Sequence, residues 1–237
     1  MGVLTPSSNT VLEPLMARMA SPLEGRLSVH FSRFRVVRIA EDARGQFELT
    51  PMLEAARLLT DAKVDGILWS GTSAAWEGLD KDQALVEAIE RELGVPATTS
   101  TLALLEATKQ LGVGSAGLVV PYIEAIWQRI ITNLKRAGLA VIAVETEGRT
   151  DNASFADIDD FRLKEMIRTV AQTEPECVIV HCTGLRAAGL VAEMEGELGI
   201  PILDSVAVGM WGAMRMLDLE PALPGWGRLL DAVPSAV

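Results

Sequence analysis

Cys182 is the residue in this chain best placed for chemistry. It closes an apolar run expected to be a strand, 178–182, and Thr183 and Gly184 follow it. A thiol next to a turn that opens a helix is expected to face amide N–H groups. These would lower its pKa and suit it to proton transfer or nucleophilic attack. Neighbours on a strand point to opposite faces, so His181 is not expected to pair with Cys182. His30 is the only other histidine and lies in no strand-end loop, which leaves no Ser–His–acid set. Cys177 reads as a buried small hydrophobe, and a bridge to Cys182 along one strand is sterically disfavoured. Two cysteines and two histidines make a zinc site improbable. Tyr122, the only tyrosine, is expected at a helix start, where its phenol either donates to a substrate oxygen or stands in solvent.

The other polar candidates sit in loops that follow apolar runs. They are Thr5 to Thr10, with Ser8 and Asn9; Ser70 to Ser73, with Thr72; Gly148 to Asn152; and Cys182 to Gly184. In an open α/β sheet, ligands bind beyond the carboxyl ends of the strands. Hydroxyls, amides and backbone N–H groups at helix starts suit a carboxylate ligand. Each loop alone reads better as a helix cap than as a ligand site, and their succession at strand ends shifts the balance toward a site. Thr10 to Glu13 has the capping-box spacing, and Asp157, Asp159 and Asp160 are read as caps rather than metal ligands. Trp76 either packs in the core or walls a pocket, with core favoured.

The elements that must position these loops alternate. Runs 2–4, 27–33, 64–70, 114–120, 140–145, 178–182 and 201–203 are Val/Ile/Leu-rich without clean alternation, as in parallel strands covered on both faces. Helices are expected at 83–93, 122–136 and 159–172. Their apolar stripes are Ala84, Leu85, Ala88 and Ile89; Ile123, Ile126, Trp127, Ile130 and Leu134; and Phe161, Met166, Ile167 and Val170. This pattern predicts an α/β fold with mainly parallel sheets flanked by helices. A weak repeat is present. The run before Ser70 to Ser73 matches the run before His181 to Gly184, and each leads through a helix to Leu-Gly-(Val/Ile)-Pro, ending at Pro96 and Pro201. Duplication predicts two pseudo-symmetric lobes with a cleft between them. The expected first lobe is 1–104 plus 205–237, and the second is 105–204.

The 237 residues carry 32 acidic and 21 basic side chains, a net charge of −11. That charge gives no general attraction to phosphate backbones or anionic membranes, so nucleic acid and membrane are not expected partners. No apolar run approaches a membrane span and no leader precedes Gly2, so a cytoplasmic protein is expected. A homo-oligomer is left open.

Taken together, Pro6 to Thr10, Gly71 to Ser73, Pro121 to Ile123, Asp151 and Asn152, and His181 to Gly184 resemble the aspartate/glutamate racemase superfamily. Within it they are similar to the arylmalonate decarboxylase and maleate cis-trans isomerase branch, over nearly the whole chain. The resemblance implies two similar α/β lobes, no cofactor or metal, and a small mono- or dicarboxylic acid as substrate. It also implies that each lobe of a racemase or isomerase supplies one cysteine. Here the second-lobe cysteine is Cys182, and Gly71 stands in the first-lobe place. A two-base racemase, or an isomerase that adds a thiolate to an alkene, then lacks one group. Decarboxylation of a malonate needs only donors for an enediolate and one proton. By resemblance Thr72, Ser73, Tyr122 and N–H groups near Thr183 and Gly184 form the oxyanion cradle, and Cys182 delivers the proton. Ser8, Asn9 and Asn152 look more isomerase-like, as residues that hold substrate carboxylates.

Three functions follow from this reading. The first is a cofactor-independent carboxy-lyase acting on a substituted malonate. Second comes a maleate isomerase or racemase-like enzyme. The third is a carboxylate-binding protein without catalysis. Gly71→Cys is expected to gain racemisation if the two loops face each other across the cleft.

Overall fold

The computed structural model describes residues 1–231. Residues 232–237, assigned above to the first lobe, lie outside the described residues. The first lobe carries the parallel strands β1 (Gly2–Pro6), β2 (His30–Phe34), β3 (Ile67–Trp69) and β4 (Ala97–Thr99), in the order β2-β1-β3-β4. The second carries β5 (Ser115–Tyr122), β6 (Ala140–Arg149), β7 (Cys177–Val180) and β8 (Ile202–Asp204), in the matching order β6-β5-β7-β8. Helices α1 (Leu12–Ala20), α2 (Leu49–Asp61), α3 (Ala74–Glu77), α4 (Leu79–Leu93) and α5 (Ser100–Leu111) connect the first set. The others are α6 (Glu124–Arg136), α7 (Asp160–Ala171), α8 (Val191–Leu198) and α9 (Ser205–Met216). The expected fold class, two similar parallel-sheet lobes, is the one found.

The repeat is visible in the hydrogen bonds. Ser70 N–H donates to Leu4 O at 3.2 Å, and His181 N–H donates to Val119 O at 2.9 Å, each extending its sheet one residue past the strand. Helices α4 and α8 end on Gly94 (φ 71°) and Gly199 (φ 76°), left-handed caps that a side chain would strain. Pro96 and Pro201 then lead into β4 and β8.

Several expectations need correction. Strand β4 lies outside the runs expected to be strands. It has three residues and no apolar run, and pairing with β3 makes it a strand. Strand β6 continues through Arg149, so its loop begins at Thr150. Tyr122 ends β5 and does not begin a helix; Ile123 caps α6. Phe161 is 76% exposed, while Leu163 takes the buried place on α7. Ala84 on α4 is exposed as well. The capping box at Thr10 does not form. The Asn9 side-chain oxygen instead accepts from Val11 N–H (2.9 Å) and Leu12 N–H (3.0 Å), and Glu13 pairs with Arg33. Asp159 does cap α7, accepting from Arg162 N–H at 2.8 Å.

Helix α9 is the most buried helix end to end, and it packs closely on α5. A Cβ on Gly212 would overlap Ala103, and one on Gly209 would overlap the Ser100 hydroxyl. The α5 end of that contact is held by a buried carboxyl. Asp82 accepts from the Thr99 hydroxyl, and Thr99 caps α5 at Leu102 N–H. Burial pushes the Asp82 carboxyl up from 3.8 to about 7. The folded-state value exceeds the unfolded one, so the stabilisation tied to the bound proton is complete below about pH 4. It is lost as pH rises through about 7. Asp82→Asn keeps the acceptor oxygen and removes the titration. We expect the melting temperature of the wild type to fall relative to Asp82→Asn as pH rises from 4 to 8, measured by scanning calorimetry on both proteins. Parallel curves would refute this.

Candidate active site

Gly71 and Cys182 occupy equivalent places, each two residues past the end of its strand, β3 and β7. Between them lies a small cavity of about 20 Å³. Its wall includes Gly71, Thr72, Ser73, Tyr122, Asn152, Cys182 and Thr183. Seven of the ten residues named from sequence therefore meet in one place. The other three stand just behind the wall. Asn9 donates through Nδ2 to the Thr183 hydroxyl (3.2 Å), across the lobes. Ser8 accepts from Asn152 Nδ2 (2.8 Å) and donates to Val36 O (2.6 Å). Gly184 N–H donates to Cys182 Sγ (3.3 Å).

The Tyr122 hydroxyl lies 3.1 Å from Thr72 Oγ1, joining the first lobe to the second. Its ring meets Phe155 edge-on at 5.5 Å, and its carbonyl accepts from the Thr146 hydroxyl at 2.5 Å. These contacts fix the phenol over the cavity. Register shifts between β5 and β6 around Val120 and Tyr122 turn the end of β5 toward it.

The electrostatics run against the expected low-pKa thiol. Cys182 is 3% exposed. Burial pushes its thiol up to about 11, and the Asp204 carboxylate adds to the rise. Hydrogen bonds from the Tyr122 hydroxyl and from Gly184 and Leu185 N–H pull the other way and do not win. The helix start expected beside the sulfur is instead a turn and a short 3₁₀ segment; α8 begins only at Val191. Tyr122 is likewise pushed up by burial and by the nearby sulfur. His181 makes no well-formed ring hydrogen bond, although the Thr72 backbone lies near enough to favour its charged form slightly. Burial prevails and holds it neutral, at about 4. Cys177 is buried elsewhere, its Sγ 3.7 Å from Ser115 O, and burial pushes it up to about 12. Among the described residues no group of three or more His, Cys, Asp or Glu side chains could hold a metal ion.

Apolar wall residues complete the cavity: Val36, Ile39, Phe47, Trp69 and Trp76. Three of them lie on the segment between β2 and α2. Ile39 N–H on that segment donates to Thr150 O (2.7 Å), and Asn152 N–H donates to Val37 O (3.0 Å), which fastens it to the second lobe. Trp76 packs edge-on against Phe47 at 5.6 Å, so it is both core and wall.

Trp69 was missed in the sequence. A Cβ built on Gly71 would overlap Cζ2, Cε2 and Cη2 of its indole, well inside the 3.0 Å that real Cβ atoms respect. The first-lobe slot is thus filled by a ring from two residues upstream. A large aromatic two positions before a glycine was the available signal.

Two parallel-sheet lobes meeting at a hydroxyl- and amide-lined cavity place the chain in this branch of the aspartate/glutamate racemase superfamily. Residues 47–230 match the family model for arylmalonate decarboxylase, and the chain belongs to that family. It is 28% identical over 184 residues to the arylmalonate decarboxylase of Bordetella bronchiseptica, covering 76% of this chain and 77% of that one. It is 26% identical over 238 residues to the maleate isomerase of Nocardia farcinica, covering 97% and 94%. The Nocardia farcinica maleate cis-trans isomerase bound to TRIS superposes with a TM-score of 0.87 at 25% identity, over 97% of this chain and 96% of that one. Unliganded arylmalonate decarboxylase gives 0.78 at 25% identity, over 97% of each. No helix among the described residues is long and apolar enough to cross a membrane.

The Trp69–Gly71 contact revises the expectation for a cysteine at position 71. Gly71→Ala alone is expected to cost about 1–3 kcal/mol through overpacking. In a Trp69→Leu background the same change should cost much less, giving a coupling of about 0.5–3 kcal/mol in a double-mutant cycle of urea unfolding. Additive costs would show that the ring does not hold the slot.

Proposed function

We propose that this protein is a cofactor-independent decarboxylase of a substituted malonate, with Cys182 as the proton donor. The observation that carries this reading is the lone thiol, held protonated by burial at about 11 and opposed by a slot that a ring already fills. A thiol with that pKa is a better acid than nucleophile at neutral pH. In this reading the bond from the α-carbon to one carboxylate breaks and releases CO2. Its electron pair passes into an enediolate on the remaining carboxylate. The hydroxyls of Thr72, Ser73 and Tyr122 and N–H groups near Thr183 donate to the enediolate oxygens. Apolar walls from Val36, Ile39, Phe47 and Trp76 surround the departing carboxylate and exclude water, which favours loss of charge. The S–H of Cys182 protonates the α-carbon, and the thiolate regains a proton from solvent.

Asn152 on the wall, with Ser8 and Asn9 behind it, supports a second reading as a maleate isomerase or racemase-like enzyme. That reading needs Cys182 as a thiolate and a second acid, and Gly71 offers no side chain for it. A binding protein without turnover is the third.

Cys182→Ala is expected to lower CO2 release from a disubstituted malonate by about 10²–10⁴-fold, the usual range for a general acid. Cys177→Ala should retain the rate. Manometric or coupled CO2 assays on both variants check this. Turnover surviving in Cys182→Ala would remove the proposed acid. Conversion of maleate to fumarate without CO2 would establish the second reading, and tight diacid binding without either reaction the third.

A further inference from the structure

We propose that Trp69 replaces the absent first-lobe side chain, its indole N–H donating to a carboxylate oxygen of the bound acid. The inference rests on the carboxylate-binding part of the proposed function and adds a contact that the sequence did not indicate.

Three observations carry it. Trp69 is 1% exposed and lines the same cavity as Tyr122 and Cys182. Its Nε1 is buried and makes no hydrogen bond to protein. A buried indole N–H normally finds an acceptor, and leaving one unpaired costs about 1–3 kcal/mol. The third is the place the ring occupies. Cζ2, Cε2 and Cη2 of the indole crowd the spot where a Cβ of residue 71 would be, and Cε2 is bonded to Nε1. The indole therefore takes the space that a residue-71 side chain would use.

The donor is held rigidly. Trp69 ends β3, paired with Leu4 and Thr99, and its ring meets Phe34 at 5.0 Å. An indole N–H can only donate, so its partner must be an acceptor. The cavity of about 20 Å³ admits roughly one water, so an acid enters only as the wall residues move apart. Such a water can satisfy Nε1 in the free protein and be displaced by a carboxylate oxygen. Among the described side chains no lysine or arginine lines this cavity, so the donors seen there are neutral, and an indole adds one that does not titrate. Asn152 Nδ2 and Asn9 Nδ2 already donate within the protein, which raises the value of an uncommitted donor.

The test is a titration of ¹⁵N-tryptophan-labelled protein with sodium malonate, following the five indole signals. Trp69 is identified by its missing signal in Trp69→Phe, or by sequential assignment if that variant does not fold. Protection of Cys182 from iodoacetamide in long incubations at about pH 9, where a thiol of pKa about 11 is alkylated slowly, reports occupancy of the site independently. The Trp69 N–H signal should move downfield and exchange more slowly with solvent as the site fills. The signals of Trp211 and Trp226, which stack under Arg215 and Arg18, should stay in place. Trp69→Phe, which keeps a ring and loses the N–H, should weaken malonate binding about ten- to a hundredfold. If malonate protects Cys182 while the Trp69 signal does not move, the inference fails and the proposed function stands. If malonate neither protects Cys182 nor moves any indole signal, both fail.

Discussion

A charge in the space between the two sheets has almost no water to solvate it. Isolated ions in such a medium are so costly that groups shift their pKa and stay neutral. Every strongly buried titratable group near the cavity follows this rule. Cys182 stays a thiol, Tyr122 a phenol and His181 an uncharged imidazole, while Asp204 is pushed up to about 7. Among the described side chains the cavity therefore presents neutral dipoles, which would suit an anionic ligand in a protein of net charge −11.

Two copies of one strand–loop–helix unit make this space possible. Their strand ends face each other, so each copy contributes one loop to each wall. Equivalence of backbone does not extend to side chains. Ser70 and His181 sit at matching positions and make matching main-chain bonds, yet one is a small alcohol and the other a buried ring. Gly71 and Cys182 differ in the same way, and Trp69 fills the space that the difference leaves. Thr72–Tyr122, Asn9–Thr183 and Ser8–Asn152 then tie the halves together through side chains that face the same centre.

Much of this was legible in the residues. Parallel strands covered on both faces read as unbroken Val/Ile/Leu runs, and the Leu-Gly-(Val/Ile)-Pro turns revealed the duplication. Seven of the ten named site residues do line one cavity. What stayed hidden depends on neighbours distant in the chain. Strand β4 exists because β3 offers it partners. Tyr122 belongs to β5 because β6 runs alongside it as far as Arg149. The thiol pKa was misread because a local turn suggested amide dipoles, whereas burial by both lobes sets the balance. Trp69 resembled ordinary core, and only the backbone geometry at Gly71 shows which space its ring takes.

The unlike walls carry one last consequence. A planar enediolate held beside Cys182 would meet an acidic hydrogen on one face only, because Gly71 offers no second one on the other. A prochiral acid would then leave as a single mirror-image form, its handedness set by which lobe kept its sulfur.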